Sequence, residues 1–510
     1  MLKYDPNQSE FIDFYLPFSG RLKSSNRWAR LAKLMPWAEV ERCYAESLAG
    51  TGMGAPAKTG RIAYGALVIK ERLGASDEET AEQIGENPYL QYFLGLEEFH
   101  DGPLFDASMM VHFRSRFSEA HHRRINEKLI AQSTPKLNCT EERTDDSDDA
   151  PPRSNSGKLL VDASCTPADI KYPTDLGLLG EAREKTESLI DRMHDRLRLE
   201  ESTRKKPRTY RQKARKQFLC VAKQKKPTRQ KLRKAIGQQL RYLRRNLGHI
   251  DSMLDEKPVL LSLLPWYDYK CLLVIRTLYE QQLQMYTDRS HQIPDRIVSI
   301  SQPHVRPIVR GKAGRSVEFG AKISISHQGQ GYVSLDKVSW DAYNEGGDLP
   351  KQIEGYKQRF GYYPASVHAD TIYRTRENRR YCQKRGIRLS GKPLGRPRKV
   401  TEENAHELRA EKKQQKQDEI DRIPVEGKFG NGKRKGTLAR IMAKLSHTSE
   451  SVIHVAVLVL NLEKRLRSLL LRLFFKRFTV ILHRIQTHQV RPTNRVDIYH
   501  TLEPKINIIT

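Results

Sequence analysis

Cysteine is scarce. Cys43, Cys139, Cys165, Cys220, Cys271 and Cys382 lie far apart in a chain of 510 residues, and none are paired at a C-x-x-C spacing. A zinc site is therefore not expected, a disulfide framework is unnecessary at this length, and a reducing cytoplasm fits. Long apolar runs are missing too. The opening MLKYDPNQSEFIDFYL has no basic segment followed by an apolar core, so it does not read as a signal peptide. The most apolar late stretch, Leu469 to Leu482, is broken by Arg472, Lys476 and Arg477 and is too short to span a bilayer. A soluble chain without membrane contact is expected. Balancing negative charge is also in short supply: 61 Asp and Glu face 90 Lys and Arg, a formal net charge of +29 and a pI of about 9.8. Such an excess repels itself unless a polyanion shares the surface, and nucleic acid is the natural polyanion. On charge alone, a highly soluble basic protein of another kind stays open.

What is present indicates two or more domains, since 510 residues exceed what one core usually organises. Residues 1–133 read as helical. Ala66 to Leu73 carries Leu67, Val68, Ile69 and Leu73 before Gly74, and Ser76 with Glu79 makes a capping-box pattern for a second helix through Ile84. Met109 to Phe117 reads as a further amphipathic run ending in His121-His122-Arg123-Arg124. Two short helices about a tight turn suit a helix-turn-helix that enters a DNA groove, and equally suit an ordinary bundle. Residues 134–157 turn acidic and then rich in Pro, Ser, Asn and Gly, with little to bury, and read as a linker.

A catalytic unit is expected over 158–470. It begins with an apolar strand, Lys158 to Leu160-Val161-Asp162, ending on a carboxylate. Helical periodicity then dominates 176–290. Within it, Arg204 to Arg245 holds eighteen Lys or Arg and no acid. Phe218, Leu219, Val221, Leu232, Ile236, Leu240 and Leu243 are interleaved, which predicts an amphipathic hairpin with a basic face toward phosphate rather than a solvated tail. Strands are expected over Ile297 to Ile300, over Val317 to Ile325 by strict alternation, and over Tyr332 to Val338. A helix through Phe360 precedes a strand from Ala365 to Ala369 that ends on Asp370; a helix over Tyr373 to Lys384 and a short strand at Ile387 to Leu389 follow. Residues 391–417 are Pro-punctuated and then charged, Ser451 to Leu470 is helical, and 471–510 is a tail.

Asp162 and Asp370 each stand at the end of an apolar strand. If those strands are neighbours, the two carboxylates can share metal ions, and Mg2+ prefers such hard oxygen donors. Two ions can activate an attacking oxygen and stabilise a leaving one in phosphoryl transfer. Glu426 is the nominated third carboxylate, with Arg422 and Lys433 flanking it as phosphate holders and Lys428 as a further substrate-binding candidate. Asp169, Asp175, Glu318 and Asp336 compete for these roles. His368 shares a strand face with Asp370 and could contact substrate, although packing is the simpler role. Gly395-Arg-Pro-Arg-Lys399 is an AT-hook-like string that could enter a minor groove or be a basic loop.

At these residues the chain resembles the DDE transposases of bacterial insertion sequences. LLVDASCTPADIKYPTDLGLLGEAREKTE resembles the segment around the family's first aspartate, and SVHADTIYRTRENRRYCQKRGI the second. RIPVEGKFGNGK resembles the glutamate signature, with an arginine four positions before and a lysine seven after. The signature's tyrosine is replaced by Glu419. PHVRPIVRGKAGRSVEFGAKI resembles the intervening strands. The resemblance implies a mixed α/β fold: a ribonuclease-H-like catalytic domain with a helical insertion, preceded by an all-α helix-turn-helix-like domain. It implies catalysis by Asp162, Asp370 and Glu426 with Mg2+ or Mn2+. The implied partners are double-stranded DNA, as terminal inverted repeats and target, and a second copy of the chain in the DNA complex; the implied setting is the nucleoid-associated bacterial cytoplasm. A catalytically decayed DNA-binding protein and a ribonuclease-H-like nuclease are the alternatives.

Overall fold

Side-chain caps set the first helices. Asn26 accepts from the Trp28 amide to start α1 (Arg27–Leu34), and α2 (Trp37–Ser47) follows after Pro36. Thr59 caps α3 (Gly60–Leu73), which stops at Gly74 in the left-handed region, φ 68°. Ser76 then accepts from the Glu79 amide to open α4 (Asp77–Glu86), the boundary expected from the sequence. After α5 (Pro88–Phe93) come α6 (Met109–Arg116) and α7 (Glu119–Ala131). His121 to Arg124 lies in the first turns of α7, not at the end of the preceding helix as expected. Phe117 is extended there, and Ser118 provides a new cap. The structure, a computed structural model, describes residues 20–48, 56–133, 154–200, 203, 205–309, 317–328, 331–396 and 398–488. Most of the linker expected at 134–157 and the end of the tail, 489–510, lie outside the described residues.

A mixed sheet follows. β1 (Lys158–Pro167) is longer than the sequence suggested, so Asp162 stands in its middle and not at its end. The strand continues because β3 (Val317–Gln328) pairs antiparallel along all of it, from Leu159 opposite Gln328 to Pro167 opposite Gly320. The far edge of β3 carries two strands in tandem, β2 (Arg306–Val309) and β4 (Val333–Ser339). On the other side β1 pairs parallel with β5 (Ser366–His368), and β5 with β6 (Arg388–Leu389). The order is β2-β3-β1-β5-β6, with β4 beside β3. Residues 297–300, expected as a strand, are buried but irregular: the Ile297 amide donates to the Gln281 side chain at 3.0 Å instead of to a neighbouring strand.

Between β1 and β2 the chain forms α8 (Asp175–Glu200), α9 (Arg211–Ala222), α10 (Arg229–Glu256) and α11 (Trp266–Thr287). They close on their own core, including Leu179, Ile190, Leu243, Ile250 and Ile275. The basic hairpin is present: α9 buries only Ala214, while Lys213, Arg215, Lys216, Lys223 and Lys231 are exposed. α12 (Leu349–Phe360) and α13 (Arg376–Lys384) pack beside β5, through Leu349, Ile353, Val367 and Cys382. The remaining helices are α14 (Ala405–Lys435) and α15 (Ser446–His488). α15 serves two cores at once. Val455, Leu458 and Leu462 join Leu31, Tyr64 and Phe93 of the first helices, whereas Ile453, Ala456 and Val457 join Leu160, Ile323 and Leu335 of the sheet. A buried polar knot ties the same units together. Asn461 donates to Asn126 Oδ1 at 2.8 Å and to the Val333 carbonyl at 2.7 Å, and accepts from the Val333 amide at 2.9 Å.

Candidate active site

The register of β1 and β5 brings two carboxylates together. Lys158, Leu159 and Leu160 lie opposite Ser366, Val367 and His368. Two residues further along both chains stand Asp162 and Asp370, on the same face as Leu160 and His368 because strand side chains alternate. β5 ends before Asp370, whose carboxylate accepts from the Thr371 amide at 2.7 Å and starts a short helical turn. Asp162 remains within β1, where its carboxylate accepts from the Ala163 amide at 2.9 Å.

Glu426 arrives on α14. Val425 and Phe429 are buried against Leu160 and Ile323 of the sheet and fix the rotation of the helix. At about 100° per residue, positions 422, 426, 430 and 433 then form one stripe beside that buried seam. Arg422, Glu426, Gly430 and Lys433 do line one cleft with Asp162, Ser164, Lys322, Glu345 and Asp370, of about 710 Å³. Arg422 links the acids: its guanidinium is 3.1 Å from Glu426 and 3.5 Å from Asp370. Lys433 donates to Ser164 at 3.0 Å. Lys322 pairs with Glu345 and donates to the Tyr343 carbonyl at 2.7 Å.

The electrostatics are those of crowded anions. Burial pushes the Asp162 carboxyl up to about 6; the Ala163 amide and Arg422 oppose that shift, while Asp370 and Glu426 add to it. Asp370 and Glu426 are more than half exposed, at 55% and 56%. A half-buried acid beside two open ones, with one arginine among them, is an all-oxygen donor set with room for hard divalent cations.

A second acidic group lies one to two turns back along α14. The ligand atoms of His368, Asp418 and Asp421 lie within 4.8 Å of one another, but its charges are already matched. Arg388 makes a two-pronged contact with Asp418 at 2.8 and 2.9 Å, and Lys158 pairs with Asp421 at 2.6 Å. His368 is fully buried, hydrogen-bonded to Ser366 at 3.0 Å, and burial lowers its pKa. It is a packing histidine that helps clamp α14 to β5. Sequence reasoning passed over Asp418 and Asp421; the only signal was the column 418, 422, 426 at helical spacing. Ser164 was also missed, although alternation places it on the face of Asp162.

Lys428 does not line the carboxylate cleft. Two positions past Glu426, it turns to the other flank of α14 and lines a different cleft with His327 and Lys464. The competing acids Asp169, Asp175, Glu318 and Asp336 do not line the carboxylate cleft; Asp169 pairs with Arg440, Asp175 with Arg296, and Asp336 lies near Arg359. In the AT-hook-like string, Pro397 lies outside the described residues and Arg398 is paired with Glu407 and Glu411.

Residues 367–463 match the family described as Transposase DDE domain, and residues 17–116 match the family described as Transposase domain (DUF772). The first match spans Asp370 and Glu426 but begins after Asp162. The chain is also similar to the uncharacterized protein ORF8 in the nfe locus of Rhizobium meliloti, 31% identical over 147 residues; these are 29% of this chain and 64% of that relative. No solved structure matches the chain. Among the described residues, no helix is long and apolar enough to cross a membrane.

Proposed function

We propose, from the premise that the chain belongs to the DDE transposases of insertion-sequence type, that it cuts DNA at Asp162, Asp370 and Glu426 and joins the freed 3′-hydroxyl to target DNA. The observation that carries this reading is the convergence of three acids from β1, β5 and α14 on one cleft, bridged by Arg422. The strand order, with β3 running against its neighbours, suits a ribonuclease-H-like catalytic domain.

Asp162, Asp370 and Glu426 would hold Mg2+ or Mn2+. When bound, such ions neutralise phosphate charge and lower the pKa of an attacking hydroxyl. The chain's own groups do the rest. Arg422 holds the flanking carboxylates in place and offers a planar fork to a phosphate. Lys433, set by Ser164, adds positive charge at the far side of the cleft. Half-burial of Asp162 keeps bulk water from one wall, which strengthens every charge contact there. The DNA would be duplex, bound as terminal inverted repeats and then target, with a second copy of the chain pairing the ends. The exposed basic face of α9 and α10 suits phosphate backbone beyond the cleft.

The test uses duplexes carrying the element's own ends. Purified chain with Mg2+ or Mn2+ should nick them at the end junction and leave random duplex and RNA–DNA hybrid uncut. Asp162→Asn, Asp370→Asn and Glu426→Gln should each remove nicking while duplex binding persists. Nicking retained in any of the three reassigns the site. Nicking indifferent to end sequence makes the chain a nuclease, and repeated failure of the wild type leaves a DNA-binding protein.

A further inference from the structure

The other flank of α14 carries a cleft of opposite sign. Pro424, Lys428, Asn431, Gly432 and Lys435 repeat the helical spacing of the first stripe, shifted by two residues and so turned about 200° from it. They line a cavity of about 430 Å³, closed by His327 at the end of β3 and by Lys464 and Arg467 of α15. That is enough room for a nucleotide-sized group.

The charge balance of this cavity points outward. Its two carboxylates already have partners, one of them Arg72 on the cavity's own wall. Glu463 pairs with Arg72 at 2.6 Å, and Glu71 accepts from the Thr437 amide at 2.9 Å and the Thr437 hydroxyl at 2.5 Å. Among the described residues, no carboxylate pairs with Lys428, Lys464 or Arg467. Lys428 is half-buried all the same and lines the cavity together with Lys464 and Arg467. His327 is 4% exposed and its Nδ1 has no hydrogen-bond partner. A partly buried ammonium facing two more cations is costly unless an anion joins them.

We propose that this cavity is a phosphate-binding site, with Lys428, Lys464 and Arg467 as its charged donors and the His327 ring behind them. The proposal goes beyond the cleavage reading and stands whether or not the carboxylate cleft cuts DNA. The phosphate comes either from a duplex backbone held on the far side of α14 or from a free phosphate compound.

Two measurements on the full chain separate these sources. The first is the salt dependence of binding to a labelled 20-base-pair duplex, for wild type, Lys428→Met and the double variant Lys464→Gln/Arg467→Gln. A backbone phosphate at this site predicts weaker binding by both variants and a log–log salt slope shallower by about 0.9 for each phosphate no longer neutralised. The second is thermal unfolding with inorganic pyrophosphate at constant ionic strength. Pyrophosphate that raises the wild-type Tm but not that of the variants, with an unchanged duplex slope, assigns the site to a free phosphate compound. The double variant leaves Lys428 in place and includes the exposed Arg467, so it carries both measurements if Lys428→Met does not fold. Unchanged slopes together with no difference in the pyrophosphate shift overturn the proposal.

Discussion

The two flanks of α14 are built alike and charged oppositely. On one, Arg422, Glu426 and Lys433 face Asp162 and Asp370; on the other, two residues out of phase, Lys428 and Lys435 face Lys464 and Arg467. Val425 and Phe429, buried between them, hold the helix so that neither stripe can rotate away. On each flank a half-buried ionisable group is pushed toward its neutral form by burial and by like charges nearby. Asp162 is raised and Lys428 is lowered. The difference in sign is what the two proposals rest on, cations for one flank and phosphate for the other.

The largest expected effect lies on the acidic flank. Glu426→Gln should lower nicking of end duplex by about three orders of magnitude or more, as loss of a group acting on the reacting charge does. The test is single-turnover cleavage on a sequencing gel. A loss under tenfold would make the two flanks equivalent binding surfaces. Arg422→Met should cost less, about 10–100-fold, and Arg422→Lys should restore only part of it, because a point charge cannot reach both Glu426 and Asp370 as a fork does. Full recovery by lysine would reduce Arg422 to simple charge.

Stability sharpens the comparison further. Asp418→Asn leaves Arg388 without its two-pronged partner in the clamp that seats α14. Since Arg388 is 43% exposed, a loss of about 1–2 kcal/mol is expected in denaturant unfolding. No change would mean that Val425 and Phe429 seat the helix unaided.

The smallest effects depend on pH and differ in direction. Asp162 has a folded pKa of about 6 against an ordinary 3.8, so the folded state holds this proton more tightly. Its contribution to stability is full below 3.8 and is lost as pH rises through 6. Asp162→Asn should therefore raise the metal-free Tm above pH 6, with the gain vanishing toward pH 3.8. Lys428 has a folded pKa of about 8 against 10.5. Its contribution is full above 10.5 and is lost as pH falls through 8, so Lys428→Met should raise the Tm below pH 8. Shifts of about 2–4 °C are expected for each kcal/mol released. Scanning calorimetry without metal or phosphate checks both, and a flat response in either variant removes the like-charge strain inferred for that flank.

The aspartates were legible because strands write a period of two: Leu159, Val161 and Val367 face one core while Asp162 and Asp370 stand on the other face. The caps at Ser76 and Gly74 were legible because each satisfies an amide or a backbone angle locally. The sequence does not mark α14 as a helix. Pro424 lacks the amide that would bond back to Ile420, and Gly427, Gly430 and Gly432 weaken the local preference further. Packing overrides this. A side chain at 432 would stand 2.6 Å from Leu438, so the glycine is what lets α14 approach its neighbour. The full length of β1 escaped notice for a related reason. Ala163 to Thr166 is small and polar, and its strand character comes from pairing with β3.

Sequence alone determined the excess positive charge, the helical beginning and the alternating strands, because these follow from composition and short-range periodicity; Asp162, Asp370 and Glu426 were nominated by resemblance to a family's motifs. Tertiary structure decided which acids meet. The β1–β5 register set Asp162 beside Asp370, and the buried seam of α14 turned Glu426 toward them and Lys428 away. A rotation of the helix by half a turn would leave every local preference intact and exchange the two flanks, and only long-range burial distinguishes those states.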